Sequence, residues 1–539
     1  MAIITSYSNK KFLILDDMAE MRSSLRAQIG SIGCQNVAVT ANVKDALEQV
    51  QNGSFDVILC DYYLGPTTDG QQFLEYVRTR NIISRSTLFI MITAEKSYEK
   101  VVSAAECLPD DYLLKPFTAE TLQTRLERLL EKKTRLAKID ALQDKGQWPE
   151  VIIACDEVIA SKDRYLVDAM RIRGNALITC GRHAEAVAFY KEVLAMRAMP
   201  WASFGLARAQ HAQGDVDTCK ETLNALIVES PQLLSAYDLL GRAHLESGQA
   251  GDALKVLDQA CLIAPGSLSR HRAIAKVAEE QSDFARVEIA LSQVVKKTRN
   301  SPLRETADIA RLGNALTEIG EHDKAILLIE EAKTNFKNDL NDPHLAAIEA
   351  LAQRKAGRPE LAEKALARAL DKKTGALPQE VTMTIARACL ANGRQEAGES
   401  ILKSIVQTNP DSAAVHALVT SVMQTHGSAE RAQGLIDEGV QEVIALNNEA
   451  VRRGKAGDLG EASRMLADAA HRLPGNAQIV SNAAFALLLD IYTNGLNTAK
   501  MRDANQFENT IRTLNPKHPK LADIAELQRR IRGKFGQPA

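Results

Sequence analysis

From about residue 140 onward the chain repeats itself. GNALITCG (174–181) is matched by LGRAHLESG (240–248) and by LGNALTEIG (312–320). Each is followed by small and apolar residues at helical spacing: Ala186 and Tyr190; then Ala253, Leu257 and Ala260; then Ala325, Ile329 and Ala332. Looser copies place turn points at Gly146, Gly214, Ser282, Gly357, Gly393 and Gly457. The turn-to-turn steps up to Ser282 are 35, 33, 34 and 34 residues, then 38, 37 and 36. Pro231 and Pro265 lie 34 apart, and Pro410 and Pro474 close later copies. A period of this length is one helix pair. The small residues let two antiparallel helices approach, and the turn glycine takes the left-handed conformation after the first. One pair cannot bury its own apolar face, so the pairs must stack into a helical solenoid.

The period and the small-residue positions resemble the tetratricopeptide repeat across roughly residues 137 to 480. About nine units are expected, some degenerate, with 410–440 poorly matched. A helical cap is expected to run on to about residue 534. The resemblance implies a groove that binds a protein ligand.

The first 125 residues have a different texture. Short apolar runs alternate with helical segments. Strands are expected at Lys11–Leu15, Asn36–Thr40, Asp56–Cys60, Leu88–Thr93 and Tyr112–Leu114. Helices are expected at Met18–Gly30, Val43–Gln51, Gly70–Thr79, Lys96–Ala105 and from Ala119 onward. This is the pattern of a parallel sheet covered on both faces. From Glu120 to about Asp144 there is no proline or glycine, and Leu122, Leu126, Leu129, Leu130, Leu136 and Ile139 recur at helical spacing. The expected result is a stiff helical joint between the two regions.

A parallel sheet gathers the carboxyl ends of its strands at one crevice. Asp16 and Asp17 follow the first expected strand, Asp61 the third, Thr93 the fourth, and Lys115 the fifth, just before Pro116. Three carboxylates repel one another unless a cation joins them, and an all-oxygen donor set suits Mg²⁺. A carboxylate can also act as a nucleophile toward a phosphoryl group, with metal and lysine neutralising the charge that develops.

Together, LILDD (13–17), DVILCDYYLG (56–65), MITAE (91–95) and DDYLLKPF (110–117) resemble the receiver domain of bacterial response regulators over residues 10 to about 130. The resemblance implies that Asp61 is the phosphoacceptor. It implies that Asp16 and Asp17 form the acid pair, with Asp17 the one to touch Mg²⁺ directly, and that the Tyr63 backbone carbonyl supplies a further ligand. Thr93 is then the switch hydroxyl, with small Ala94 beside it. Lys115 contacts the phosphoryl group, and Tyr112 is the aromatic that swings inward. The face from about residue 96 to 130 is expected to shift on phosphorylation. Two departures bear on phosphoryl lifetime: DYYLGPTTDG (61–70) is one residue longer than the family spacing, and Tyr63 and Glu95 add bulk and charge near the acceptor.

The expected architecture is an α/β doubly wound five-stranded receiver followed by an all-α solenoid. Its parts are a receiver at 1–130, a helical joint at 131–145, repeats at 146–480 and a helical cap at 481–539. The implied function is that of a two-component response regulator in which phosphorylation at Asp61 controls protein binding by the repeats, as an adaptor or inhibitor of a signalling partner. The upstream partner is a sensor histidine kinase or phosphotransfer protein, or a small phosphodonor.

Rival outputs lack their signatures. Net charge is −2, which advertises neither nucleic acid nor an anionic membrane surface. A DNA-binding regulator would need a basic recognition helix, and the basic stretch Lys517–Lys534 reads as a cap helix instead. An enzyme output would need a nucleotide loop or metal motif beyond the receiver, and none is present. A constitutive scaffold with a vestigial switch is the remaining alternative. Cys34, Cys60, Cys107, Cys155, Cys180, Cys219, Cys261 and Cys389 lack metal-finger spacing and read as reduced core residues, consistent with a cytoplasmic setting. His183, His244, His322, His344 and His471 stand singly and read as surface or capping residues. The opening MAIITSYSNKKFLILDD has no secretory pattern, and no membrane insertion is expected.

Overall fold

The computed structural model describes residues 7–65, 69–94, 109–299, 304–335, 342–371, 377–426, 428–516 and 518–536. The helix expected at Lys96–Ala105 lies outside them, as do Glu95, Cys107 and Lys517. The chain divides into two compact units, Met1–Asp308 and Ile309–Ala539.

The first unit opens with five strands, β1 (Phe12–Leu15), β2 (Val37–Thr40), β3 (Val57–Asp61), β4 (Leu88–Thr93) and β5 (Asp111–Leu114). All pairings are parallel, in the order β2-β1-β3-β4-β5. Alternating strand residues face opposite layers, as the pleat requires. Phe12, Ile14, Val57, Leu59, Ile90 and Ile92 pack on Leu25 and Ile29 of α1 (Ala19–Ser31). Leu13, Leu15, Ile58, Phe89 and Met91 pack on α2 (Val43–Asn52) and α3 (Gly70–Thr79). Local chemistry fixes where helices begin. Asn42 accepts a hydrogen bond from the Asp45 amide, and Asp69 and Gln72 form a reciprocal capping box.

The helix α4 spans Ala119–Asp144 without a break. Its first half buries Leu122, Leu126, Leu129 and Leu130 against the sheet. Its second half buries Leu136 and Ile139 with Val151, Ile152 and Cys155, in the first core of the repeats. Ion pairs brace it: Lys132 to Asp168 at 2.6 Å and Lys133 to Asp110 at 3.2 Å.

Helix pairs then follow: 148–160, 166–179 with 183–196, 200–213 with 216–229, 234–246 with 250–263, and 268–280 with 284–298. Close approach is visible at Tyr190, which is 1% exposed and lies between two glycines. A Cβ at Gly174 would sit 2.3 Å from its hydroxyl oxygen, and one at Gly205 2.2 Å from its ring. The turn points read from the sequence share one backbone feature. Gly146, Gly181, Gly214, Gly248, Ser282, Gly320, Gly357, Gly393 and Gly457 all have φ between 56° and 91°.

In the second unit the pairs continue as 343–355 with 359–369 and 379–391 with 395–408. The stretch near 410–440, poorly matched in sequence, is helical throughout its described residues. After the helix Ala413–His426, the single helix Ala429–Lys455 runs 27 residues where two helices and a turn would be expected. That helix is about twice the length of its neighbours, so its second half has no counterpart in the regular repeat. Helices 459–472, 477–494, 498–514 and 520–535 complete the unit around a core containing Ile479, Leu487, Phe507 and Ile524. His344 departs from the surface or capping role expected of it. It is 8% exposed and lies 3.4 Å from the Thr384 hydroxyl.

Replacing a mid-helix glycine by alanine ordinarily stabilises a helix by about 0.5–1 kcal/mol. At Gly205 the sign reverses, because the Tyr190 ring has no room to yield. Gly205→Ala is expected to cost about 1–3 kcal/mol by overpacking, read as a lower urea midpoint; a raised midpoint would contradict the packing described. Burial also pushes the Cys155 thiol up to about 12 and those of Cys219 and Cys389 up to about 11. Since the thiolate is the reactive form, iodoacetamide at pH 8 is expected to label these three at least about tenfold more slowly than half-buried Cys180 in the native chain, and equally once unfolded.

Candidate functional site

The crevice at the carboxyl ends of the strands is built by main-chain pairing first. The Asp16 amide donates to Thr40 O, Tyr62 N to Ile92 O at 2.7 Å, and Lys115 N to Thr93 O at 2.8 Å. These bonds carry the parallel ladder past the last formal strand residues. They bring Asp16, Asp61, Thr93 and Lys115 to one level.

Lys115 Nζ sits between two acids, donating to Asp61 Oδ2 at 2.7 Å and to Asp16 Oδ2 at 2.9 Å. Asp16 is 1% exposed, and its second oxygen accepts from the Met18 amide at 2.9 Å. Asp17 faces solvent, and Asp61 is buried, with its Oδ1 accepting from Tyr63 N at 3.3 Å. Carboxylate oxygens of Asp16, Asp17 and Asp61 all lie within 4.8 Å of one another. That spacing and the all-oxygen chemistry fit a hard divalent ion such as Mg²⁺, with exposed Asp17 on the side open to water.

Burial raises the Asp61 carboxyl above the usual range, opposed by its hydrogen bond to Lys115 and raised further by Asp16. Burial alone would lower the Lys115 ammonium. The bonds to Asp61 and Asp16 outweigh it and hold the group above its ordinary value. A buried carboxylate facing a fixed cation suits covalent capture of an anionic group, because the cation is already in place when charge develops.

The remaining expected residues fall as follows. Thr93 ends β4 and is 5% exposed. Tyr112 is half-buried against the layer that contains α3. Tyr63 is 61% exposed and pairs across the loop with Asp69. Residues 66–68 of that loop lie outside the described set. Lys115–Pro116 is a cis peptide.

Two contacts were not foreseen from the residue types. Arg22 Nη1 donates to the Asp16 carbonyl at 2.7 Å, tying α1 to the acid pair. Gly70, the first residue of α3, lies against Asp61 itself. Its amide donates to Tyr62 O at 2.8 Å, and a Cβ there would stand 2.2 Å from the Asp61 carbonyl oxygen. A glycine opening a helix nine residues after Asp61 was the available signal.

Comparison with known proteins agrees with this geometry. The family model of the response regulator receiver domain matches residues 12–127. A tetratricopeptide repeat model matches 177–243 and 353–422. Chemotaxis protein CheY-3 of Vibrio cholerae is 31% identical over 124 residues, which cover 23% of this chain and 94% of that protein. Chemotaxis protein CheY of Pseudomonas aeruginosa is 30% identical over 122 residues, 23% of this chain and 97% of that protein. The solved chemotaxis response regulator CheY4 of Vibrio cholerae is 31% identical and covers 22% of this chain and 98% of its own, with a TM-score of 0.21. The chain therefore belongs to the response regulators of two-component signalling, with a receiver domain at its N-terminal end and tetratricopeptide repeats beyond it.

Proposed function

We propose that Asp61 accepts a phosphoryl group from a histidine kinase, a phosphotransfer protein or a small phosphodonor, and that its phosphorylation controls protein binding by the repeats. The observation that carries this reading is Lys115 held between Asp61 and Asp16, with Asp17 close by. A family receiver and a protein-binding repeat in one chain supply the two ends of the switch.

In this reading the Asp61 carboxylate attacks phosphorus, and the donor leaves with the electrons of its bond. Mg²⁺, held by Asp16, Asp17, Asp61 and the Tyr63 carbonyl, would neutralise charge on the transferred group. Lys115 leaves Asp16 to pair with a phosphoryl oxygen. Thr93 supplies a hydroxyl to the same group, and Tyr112 moves inward behind it. The added charge, roughly −1.5 to −2 by analogy with other phosphorylated residues, drives these shifts. No separate catalysis is assigned to the repeats; the chemistry is the receiver's own phosphorylation and dephosphorylation.

We take residues 1–130 as receiver, 131–145 as joint, 146–480 as repeats and 481–539 as cap. The joint lies within α4, which is why a change in the receiver can reach the repeats. Among the described residues no helix is long and apolar enough to cross a membrane. We infer a cytoplasmic adaptor or inhibitor whose ligand is another signalling protein.

Two measurements test this. With acetyl phosphate as donor, Asp61→Asn is expected to abolish labelling. Asp17→Asn is expected to keep it but to need about tenfold more Mg²⁺, since ligand charge sets metal affinity; an unchanged Mg²⁺ requirement would remove Asp17 from the metal site. Purified protein should capture a lysate protein in only one of two states, with or without beryllofluoride and Mg²⁺, and Asp61→Asn should erase the difference. Identical captures in both states would contradict control by the receiver.

A further inference from the structure

Four successive helices of the repeats, 166–179, 200–213, 234–246 and 268–280, are open to solvent at one equivalent position. Residues 174–177 are buried except Asn175, and 205–210 are buried except half-buried Arg208. Residues 239–243 are buried except Arg242, and 274–278 are buried except Lys276. Each of the four stands six positions before a left-handed turn residue: Gly181, Gly214, Gly248 and Ser282. One amide and three cations therefore form a row, one residue per repeat. Helix packing does not require charge there, because the same position holds Leu351 before Gly357 and Val451 before Gly457.

Side-chain contacts make these helices direct neighbours. Arg208 Nη1 donates to Asn175 Oδ1 at 2.6 Å, His211 lies 2.8 Å from Glu246, and Asp238 accepts from Arg270 at 3.0 and 3.1 Å. Among the described residues Arg208, Arg242 and Lys276 have no ion pair. Three like charges are thus held in line with no carboxylate of the chain bound to them. Charges fixed in this way repel one another, and an anionic ligand laid along them relieves the repulsion.

Spacing selects the ligand. Helices in side-chain contact lie about 8–10 Å apart. A polyproline II segment rises about 3.1 Å per residue with three residues per turn, so side chains three apart share one face at a separation of about 9 Å. Carboxylates at every third residue of such a segment meet one cation per repeat. Asn175, whose Oδ1 is engaged by Arg208, keeps its amide hydrogens for the next acceptor along. Asp238, Glu246 and Glu280 stand four residues from the row, on the same faces of their helices. They oppose the continuous charge of a nucleic-acid backbone, whereas carboxylates spaced along a peptide pass between them.

We propose that the row Asn175, Arg208, Arg242 and Lys276 is the binding surface for an extended acidic segment of a partner protein, with its carboxylates at every third residue. This rests on the reading that the repeats bind a protein, and adds the surface, the ligand class and its register. Arg208 and Arg242 present planar guanidinium groups suited to carboxylates, and Lys276 ends the row with a point charge.

The test uses the full chain and two fluorescein-tagged peptides of one composition. One repeats the triplet Glu-Pro-Ser; the other gathers the same glutamates into a single block. By fluorescence anisotropy at low salt the triplet peptide is expected to bind about fivefold or more tighter than the block peptide, and to weaken as salt screens the contacts. Arg242→Glu, at the centre of the row, should weaken it about tenfold or more by opposing like charges. Arg242→Lys should keep it within about threefold, since the charge remains while the planar fork is lost; an unchanged urea midpoint for both variants shows that the fold is intact. Equal binding of the two peptides overturns the register, and equal binding to wild type and Arg242→Glu overturns the site. Failure of both peptides to bind, or tighter binding of oligothymidylate than of either, overturns the ligand class. A chain carrying Arg208→Glu, Arg242→Glu and Lys276→Glu should lose the protein that the wild type captures from lysate. If it captures the same protein, this proposal fails and the protein-binding reading stands; if neither chain captures one, both fail.

Discussion

The helix Ala119–Asp144 belongs to two hydrophobic cores at once, and the rest of the first unit depends on that sharing. Its leucines at 122, 126, 129 and 130 close one face of the sheet, while Leu136 and Ile139 open the stack of repeats. A flexible linker would let the two parts report separately. A continuous helix packed at both ends makes rotation or translation of one a displacement of the other, at a cost in buried apolar contacts. The ion pairs of Lys132 and Lys133 with Asp168 and Asp110 hold the same helix from both sides.

The site at the other end of the sheet has the opposite character. It concentrates like charge: three carboxylates within 4.8 Å and one ammonium among them. Such a cluster depends on nearby cations, and in the proposed function a phosphoryl group and Mg²⁺ would rearrange it. Two physical routes lead away from it. One passes through β5 and α4. The other is shorter, through the Asp61 carbonyl into Gly70 and α3.

Much of this was legible in the sequence because the determinants are local. The acid pair, Asp61, Thr93 and Lys115 each end a short apolar run, and parallel pairing does the rest. The turn points from Gly146 to Gly457 were legible because a left-handed residue is nearly obligatory where a helix reverses, and even Ser282 takes that conformation. The helix Ala429–Lys455, 27 residues long, departs from the helix lengths of the other units, which the sequence period does not signal. His344, expected at the surface or in a cap, is buried beside Thr384, 40 positions away, a contact that no local pattern signals.

The measurement that tests the central claim most directly is peptide-resolved hydrogen exchange on the full chain, with and without beryllofluoride and Mg²⁺. The account predicts that the ligated site itself, around residues 57–65 and 112–118, becomes more protected, and that protection also changes in the repeat helices packed on α4, 148–160 and 166–179. It further predicts that Asp61→Asn abolishes both changes. Protection gained at the site with no change anywhere in the repeats would contradict it, because the receiver would then be a switch connected to nothing.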